Sequence, residues 1–241
     1  MLLRFELTPL FILPLLLSCL LGARPVEAQD AGLPTHNLVL SLESYVDDAT
    51  VRNEQSLANL QNEQGETEVG RGLLSGSVSL TYLTPLTDIF LVGAGARYLG
   101  SYRYEEDDAE EDDEPTLMGR LFELYGRAEF RITLTEDIQV VPAAELGVPL
   151  MFPSGSLQER LDMLETTSYS VNSLPRTGFL LGGEVGGRLR LEHWLALRAA
   201  FGVVHEKLFL YDASTEDDIG QASSSFSLVR LKVGLGAEVN F

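Results

Sequence analysis

The stretch that decides the fold is the last one, Ser225-Phe-Ser-Leu-Val-Arg-Leu-Lys-Val-Gly-Leu-Gly-Ala-Glu-Val-Asn-Phe241. In steps of two from the end, Phe241, Val239, Ala237, Leu235, Val233, Leu231 and Val229 are all apolar. The other phase holds Asn240, Glu238, Gly236, Gly234, Lys232 and Arg230, which are polar or very small. Side chains alternate across a β-strand, so this segment has one greasy face and one polar face. Strands of soluble domains usually run about five or six residues. This one keeps its phase for over a dozen and stops on the terminal phenylalanine.

A membrane β-barrel has that pattern, with lipid outside, a polar lumen inside and about ten residues per crossing. A terminal aromatic closing such a strand resembles the assembly signal of Gram-negative outer-membrane proteins, a role that falls to Phe241. The competing reading is an amphipathic edge strand of a soluble β-sandwich.

The chain has 241 residues, one cysteine, 36 acidic and 17 basic side chains, and 45% hydrophobic residues. A net charge of −19 argues against nucleic-acid binding. After residue 28 no apolar run approaches the roughly eighteen residues of a membrane helix. Residues 1–28 read as a secretory signal: Arg4, an apolar core from Leu10 to Leu21, and Val26-Glu27-Ala28 as a small-residue cleavage site. Leu16-Leu17-Ser18-Cys19 resembles a lipoprotein box, so lipidation of Cys19 is the alternative processing route. Either way no free thiol is expected in the mature protein. Residues 29–36 are then a short periplasmic segment, and residues 37–241 one barrel.

Alternation recurs over 37–46, 74–83, 90–104, 117–134, 138–152, 179–191, 195–211 and the final stretch, which makes eight strands. Pro142 and Pro149 each remove a ladder donor and weaken the fifth. Tight turns are expected near 86, 136 and 193. Longer polar loops occupy 47–69, 105–114, 153–176 and 212–224. Short and long connections alternate strictly, as in bacterial outer-membrane barrels, and a soluble sandwich has no reason to sort them so. Within the third long stretch, Ser156-Leu-Gln-Glu159 resembles a capping box, with Leu157, Leu161 and Leu164 on one helical face. A short helix on the outer rim of the barrel is expected.

The inward phase carries Glu43, Glu123, Glu129, Glu145, Glu184, Glu192, Glu206 and Glu238 against Arg97, Arg103, Arg127, Arg131, Arg188, Arg190, Arg198, Arg230 and Lys232. An eight-stranded barrel is just wide enough to be filled by its own side chains. Charges confined there must pair, because an unpaired buried charge costs several kcal/mol. The expectation is a plugged, salt-bridged lumen. A narrow wet channel stays open as the alternative, since many inward residues are Gly or Ala. The excess negative charge then lies in the loops, above all in Glu105 to Glu114, nine carboxylates in ten residues. Such a run is solvated by default, and its spacing fits no ordered calcium loop.

No paired-cysteine motif, phosphate loop or HExxH occurs, so no cofactor or metal is expected. His205 is the one histidine placed where a lipid-modifying site could sit, but its phase faces lipid and no outward serine or acid adjoins it. The chain from 37 to 241 resembles the small eight-stranded outer-membrane barrels, the OmpX-like proteins and the transmembrane domain of OmpA-like proteins. The periplasmic peptidoglycan-binding domain of the latter is not expected. The resemblance implies an all-β, up-and-down transmembrane barrel in the outer membrane, monomeric, with periplasmic termini and extracellular loops. Its implied partners are outer-membrane lipid and lipopolysaccharide, the barrel-assembly machinery through the last strand, and an unnamed surface ligand. A structural or adhesive barrel is the first expectation, a narrow channel the second, a lipid A-modifying enzyme the third.

Overall fold

A computed structural model describes residues 36–57, 60–73, 76–106, 116–166, 169–171, 175–215 and 220–241. The secretory signal, Cys19 and most of the acidic run lie outside the described residues. The elements are β1 (Asn37–Leu57), β2 (Leu60–Leu73), β3 (Ser77–Pro85), β4 (Phe90–Glu106), β5 (Thr116–Phe130), β6 (Ile132–Thr133), β7 (Ile138–Pro153), α1 (Ser156–Thr166), β8 (Tyr169–Val171), β9 (Arg176–Glu192), β10 (Leu195–Thr215) and β11 (Gly220–Asn240).

Eight of the strands form a closed antiparallel ring, β1-β3-β4-β5-β7-β9-β10-β11, with β11 returning to β1 along 21 residue pairs. β2 continues the path of β3 between β1 and β4, while β6 and β8 are short additions to β7 and β10. The ring has no open edge, so every ladder group along it can pair. The pattern of exposure is inside out. Along β11, Val229, Leu231, Val233 and Leu235 face outward and are 45–66% exposed, whereas Arg230 and Lys232 between them are buried. A contiguous apolar band of this size around a whole molecule is stable in lipid, not in water.

Two of the tight turns repeat one design. In residues 86–89, the Leu86 and Thr87 N–H groups donate to the Phe90 carbonyl at 2.9 and 3.1 Å, and the Phe90 N–H donates to the Thr87 hydroxyl at 3.1 Å. In residues 134–137, Leu134 and Thr135 donate to the Ile138 carbonyl at 2.9 and 3.1 Å, and Ile138 donates to the Thr135 hydroxyl at 3.1 Å. The Leu-Thr pair in each turn thus closes the backbone and caps it with one hydroxyl.

Several expectations need correction. Residues 47–57 and 60–69, expected as a loop, extend β1 and β2 as a hairpin, and residues 212–215 and 220–224 extend β10 and β11 likewise. Apolar alternation marks a strand only where one face is apolar, so strand extensions with polar sequence escape it. In β4 the register shifts between Tyr98 and Gly100, and Gly100 has φ +82°. This one-residue bulge inverts the phase: Tyr102, expected outward, is buried inside, and Ser101 and Arg103, expected inward, are exposed outside. The strand expected over 117–134 is broken at Arg131, which separates β5 from β6. Helix α1 is preceded by Gly155, whose carbonyl accepts from the Glu159 N–H at 3.0 Å, so Gly155 rather than Ser156 takes the cap position. A helix does form where one was expected, over Ser156–Thr166. Leu157 and Leu161 are buried in the barrel's apolar cluster.

Candidate functional site

The candidate site is the interior of the barrel, which is built in two storeys. Strand alternation sends every second residue inward, and on facing strands these positions alternate long charged side chains with Gly, Ala and Ser, so the charges have room to cross the lumen. Gly95 shows the fit: a Cβ there would stand 2.6 Å from the Tyr125 ring, over which the Arg97 guanidinium lies at 4.7 Å.

The lower storey is one chain of ion pairs. Glu238 accepts from Arg188 and Arg198, at 2.9 and 3.2 Å, and Arg131 joins it at 3.2 Å. Arg198 and Arg131 also hold Glu129, at 2.7 and 3.1 Å. Arg127 links Glu129 at 3.2 Å to Glu145 at 2.7 Å and also pairs with Glu184. Lys232 bridges Glu145 at 3.1 Å and Glu184 at 2.7 Å. Arg97 reaches Glu145 at 3.0 Å, Glu43 at 2.6 Å and Glu123. Arg230 closes the series on Glu123 and Glu206. The path Glu238–Arg198–Glu129–Arg127–Glu145–Arg97–Glu123–Arg230–Glu206 is therefore unbroken. Side chains in it are at most 10% exposed, and Arg230, Glu123 and Glu206 are fully buried.

Seven acids (Glu43, Glu123, Glu129, Glu145, Glu184, Glu206, Glu238) meet seven bases (Arg97, Arg127, Arg131, Arg188, Arg198, Arg230, Lys232) in these pairs. That balance is what makes burial tolerable, because a desolvated charge left alone costs several kcal/mol. Glu43 also accepts from Tyr45 and from the hydroxyls of Ser77 and Ser79, at 3.2 and 3.0 Å. Fourteen of the seventeen charged residues singled out from sequence thus meet in one network, and Arg103, Arg190 and Glu192 do not. Arg103 is turned outward by the Gly100 bulge, and Arg190 lies at the turn end. It is half exposed and reaches Asp137 at 3.3 Å in the 134–137 turn. Glu192 is exposed beside it.

One inward acid escaped sequence reasoning. Asp47 is buried opposite Arg230 in the β1–β11 register, with neither carboxylate oxygen hydrogen-bonded. It continues the odd-numbered inward phase of Glu43 and Tyr45, and that continuity was the signal available. A cavity of about 30 Å³ remains in the lower storey, lined in part by Ser41, Thr81, Arg198, Ala200 and Gly236. It has room for one or two waters.

The upper storey is apolar. Tyr45, Leu99, Tyr102, Tyr104, Met118, Leu121, Met151, Leu208, Phe226 and Leu228 converge inside the barrel above Arg230, and Leu157 and Leu161 of α1 close over them, with Leu164 packed alongside. Tyr102 and Tyr104 meet Phe226 edge-on at 5.2 and 6.0 Å. The aromatic pair Tyr102 and Tyr104 reaches the interior only because of the Gly100 bulge. His205 stays outside, tilted against Phe179 at 6.1 Å.

At the other end, the terminal residue closes the seam. Phe241 and His36 exchange backbone hydrogen bonds of 2.9 and 3.0 Å. The His36 ring stacks on Tyr82 at 5.5 Å and meets Phe241 at 6.2 Å.

No family model matches the sequence, and no curated protein matches it either. Solved structures do match. The outer membrane protein OprG from Pseudomonas aeruginosa aligns over 86% of this chain and 96% of its own, at 11% identity and a TM-score of 0.50. The outer membrane protein AlkL aligns over 90% of this chain and 96% of its own, at 12% identity and a TM-score of 0.48. The outer membrane protease OmpT from Escherichia coli aligns over 88% of this chain, at 6% identity and a TM-score of 0.40. Identities this low speak to fold alone, and of these three the match to OprG carries that point. The closed eight-stranded ring, the apolar outer band and this likeness give one conclusion: the chain has the fold of the small outer-membrane β-barrels, with a buried salt-bridge network in its interior.

Proposed function

We propose that this protein is a non-enzymatic barrel of the Gram-negative outer membrane, closed to ions and solutes, with a structural or surface-interaction role. The observation that carries the reading is the unbroken chain of ion pairs from Glu238 to Glu206, roofed by an apolar storey and α1. A solute would have to separate buried opposite charges to pass, at a cost of several kcal/mol per pair. The termini face the periplasm in this reading. They lie at the end of the three short turns, and short turns are periplasmic in bacterial barrels. The long β1–β2 and β10–β11 hairpins, α1 and the acidic run then face the outside and are what a surface partner would meet. The placement of His205, outward and packed on Phe179, supports a non-catalytic role for it.

Planar-bilayer recording on the protein purified in detergent tests the closure. Steady unitary conductance would overturn it and favour the second reading, a narrow channel, which the small polar cavity near Arg198 supports. Background-level current is the expected result.

A further inference from the structure

We propose that Arg103 and Arg120, with the aromatic trio Tyr98, Phe122 and Phe152 adjoining them, form a binding site for the phosphate groups of lipid A on the outer wall of the barrel. The proposal rests on the orientation given above, in which this end of the strands reaches the outer leaflet.

The bulge at Gly100 creates the site. Without it Arg103 would follow Arg97 into the lumen; with it, Ser101 and Arg103 point outward. On the neighbouring strand Arg120 is also exposed, opposite Ser101 on one side and Phe152 on the other. Arg103 opposes Leu117, which makes the two arginines diagonal neighbours across β4 and β5, with Cβ atoms roughly 8 Å apart. Two guanidinium groups of that reach can converge on one phosphate, each offering a planar fork of donors. Among the described residues neither has a carboxylate partner, unlike the seven bases of the interior.

Below them the rings of Tyr98 and Phe122 lie 4.7 Å apart, and Phe152, paired with Arg120 on the next strand, meets Phe122 edge-on at 5.7 Å. All three are outward and 37–42% exposed. Aromatic side chains favour the depth at which acyl chains give way to headgroups. The height agrees. From Phe130 at the turn end to Arg120 is ten residues of β5. At about 3.3 Å per residue and a tilt of about 40° this rises about 25 Å, the height of the apolar band. Arg120 therefore emerges where phosphates begin. The chain carries −19 overall, and a protein so acidic is repelled by a phosphorylated leaflet unless cations stand at the contact. Lys207, also directed outward, lies instead over the Phe209 ring at 5.6 Å.

Native mass spectrometry of the protein purified in detergent, titrated with hexa-acylated lipid A, tests the site. The double variant R103Q/R120Q should bind about tenfold more weakly, with its thermal unfolding midpoint unchanged because both side chains are exposed and neither is paired among the described residues. R120K, which keeps the charge and loses the fork, should fall between. Dephosphorylated lipid A should bind wild type and variant alike, and weakly. Equal binding of lipid A by wild type and R103Q/R120Q overturns the proposal, and so does tight binding of the dephosphorylated form. Phosphatidylglycerol competing as well as lipid A would overturn lipid A as the occupant. The orientation is read separately, by labelling an Arg103→Cys variant in intact cells with an impermeant maleimide. Failure to label reverses the topology without touching the micelle result.

Discussion

At the scale of single residues, the interior separates charges that matter for stability from charges that do not. Arg188 and Arg190 stand two positions apart on β9, and alternation alone gives them the same face. Arg188 is buried and donates to Glu238 at 2.9 Å and Gln139 at 3.1 Å, whereas Arg190 is 45% exposed beside a still more exposed Asp137. Removing one member of a buried pair strands the other and costs about 3–5 kcal/mol. An exposed pair is worth about 1 kcal/mol or less. Arg188→Ala should therefore lower the urea midpoint of the refolded barrel clearly, and Arg190→Ala should leave it within error of wild type. Equal effects would mean that Glu238 is adequately held by Arg131 and Arg198 without Arg188. The difference between these two arginines was not legible in the sequence, because period-two alternation gives the face of a residue but not its depth, and Arg190 lies at the turn end where the lumen opens to water.

At the scale of elements, one glycine sets the phase of half a strand. Gly100 has φ +82° and open space where a Cβ would be. Alanine there would meet no clash and would suffer only the backbone penalty of the left-handed region, about 1–2 kcal/mol. Gly183 on β9 also has open space around its missing Cβ, at an ordinary φ, and supplies the matched control. We expect Gly100→Ala to destabilise the refolded barrel by about that amount, and Gly183→Ala to be neutral or slightly stabilising. A neutral Gly100→Ala in chemical unfolding would show that the bulge tolerates another backbone solution. The eight crossings, their turns and the outward face were legible before the structure because each crossing has one apolar face, as in Val229-Leu231-Val233-Leu235. The bulge was not, since Gly100 looks like any inward or outward glycine in a pattern rich in them. Asp47 and the long β1–β2 hairpin were missed for a related reason: once the outer face leaves lipid, the sequence no longer alternates and only the backbone ladder defines the strand. Leu157, Leu161 and Leu164 announced a helix, but a helical stripe does not say what it covers.

At the scale of the whole molecule, the barrel interior has two storeys of opposite chemistry stacked along one axis. The lower is a network in which each charge has a partner of opposite sign across the lumen, and the upper is an apolar cluster under α1. The two fail in different ways. If the proposed closure holds, removing Arg230 should leave Glu123 and Glu206 facing each other and invite water into the lower storey, while the apolar roof of Phe226, Leu121 and the helix leucines should still exclude ions. Replacing Leu157 and Leu161 with serine frees the helix and wets the upper storey, yet the ion-pair chain below remains intact. Each change alone should therefore leave the conductance in planar bilayers at background, although L157S/L161S should raise hydrogen exchange of the 156–166 amides while the strands stay protected. Only the combination R230A/L157S/L161S joins the two wet regions and should give discrete openings. The variants must first show heat-modifiable migration in gels, which separates an opened barrel from one that has not folded. If R230A alone conducts, the apolar storey is no barrier and the network is the single seal. If the triple variant stays silent while folded, the lower storey is held closed by the remaining pairs around Glu145, Arg127 and Lys232.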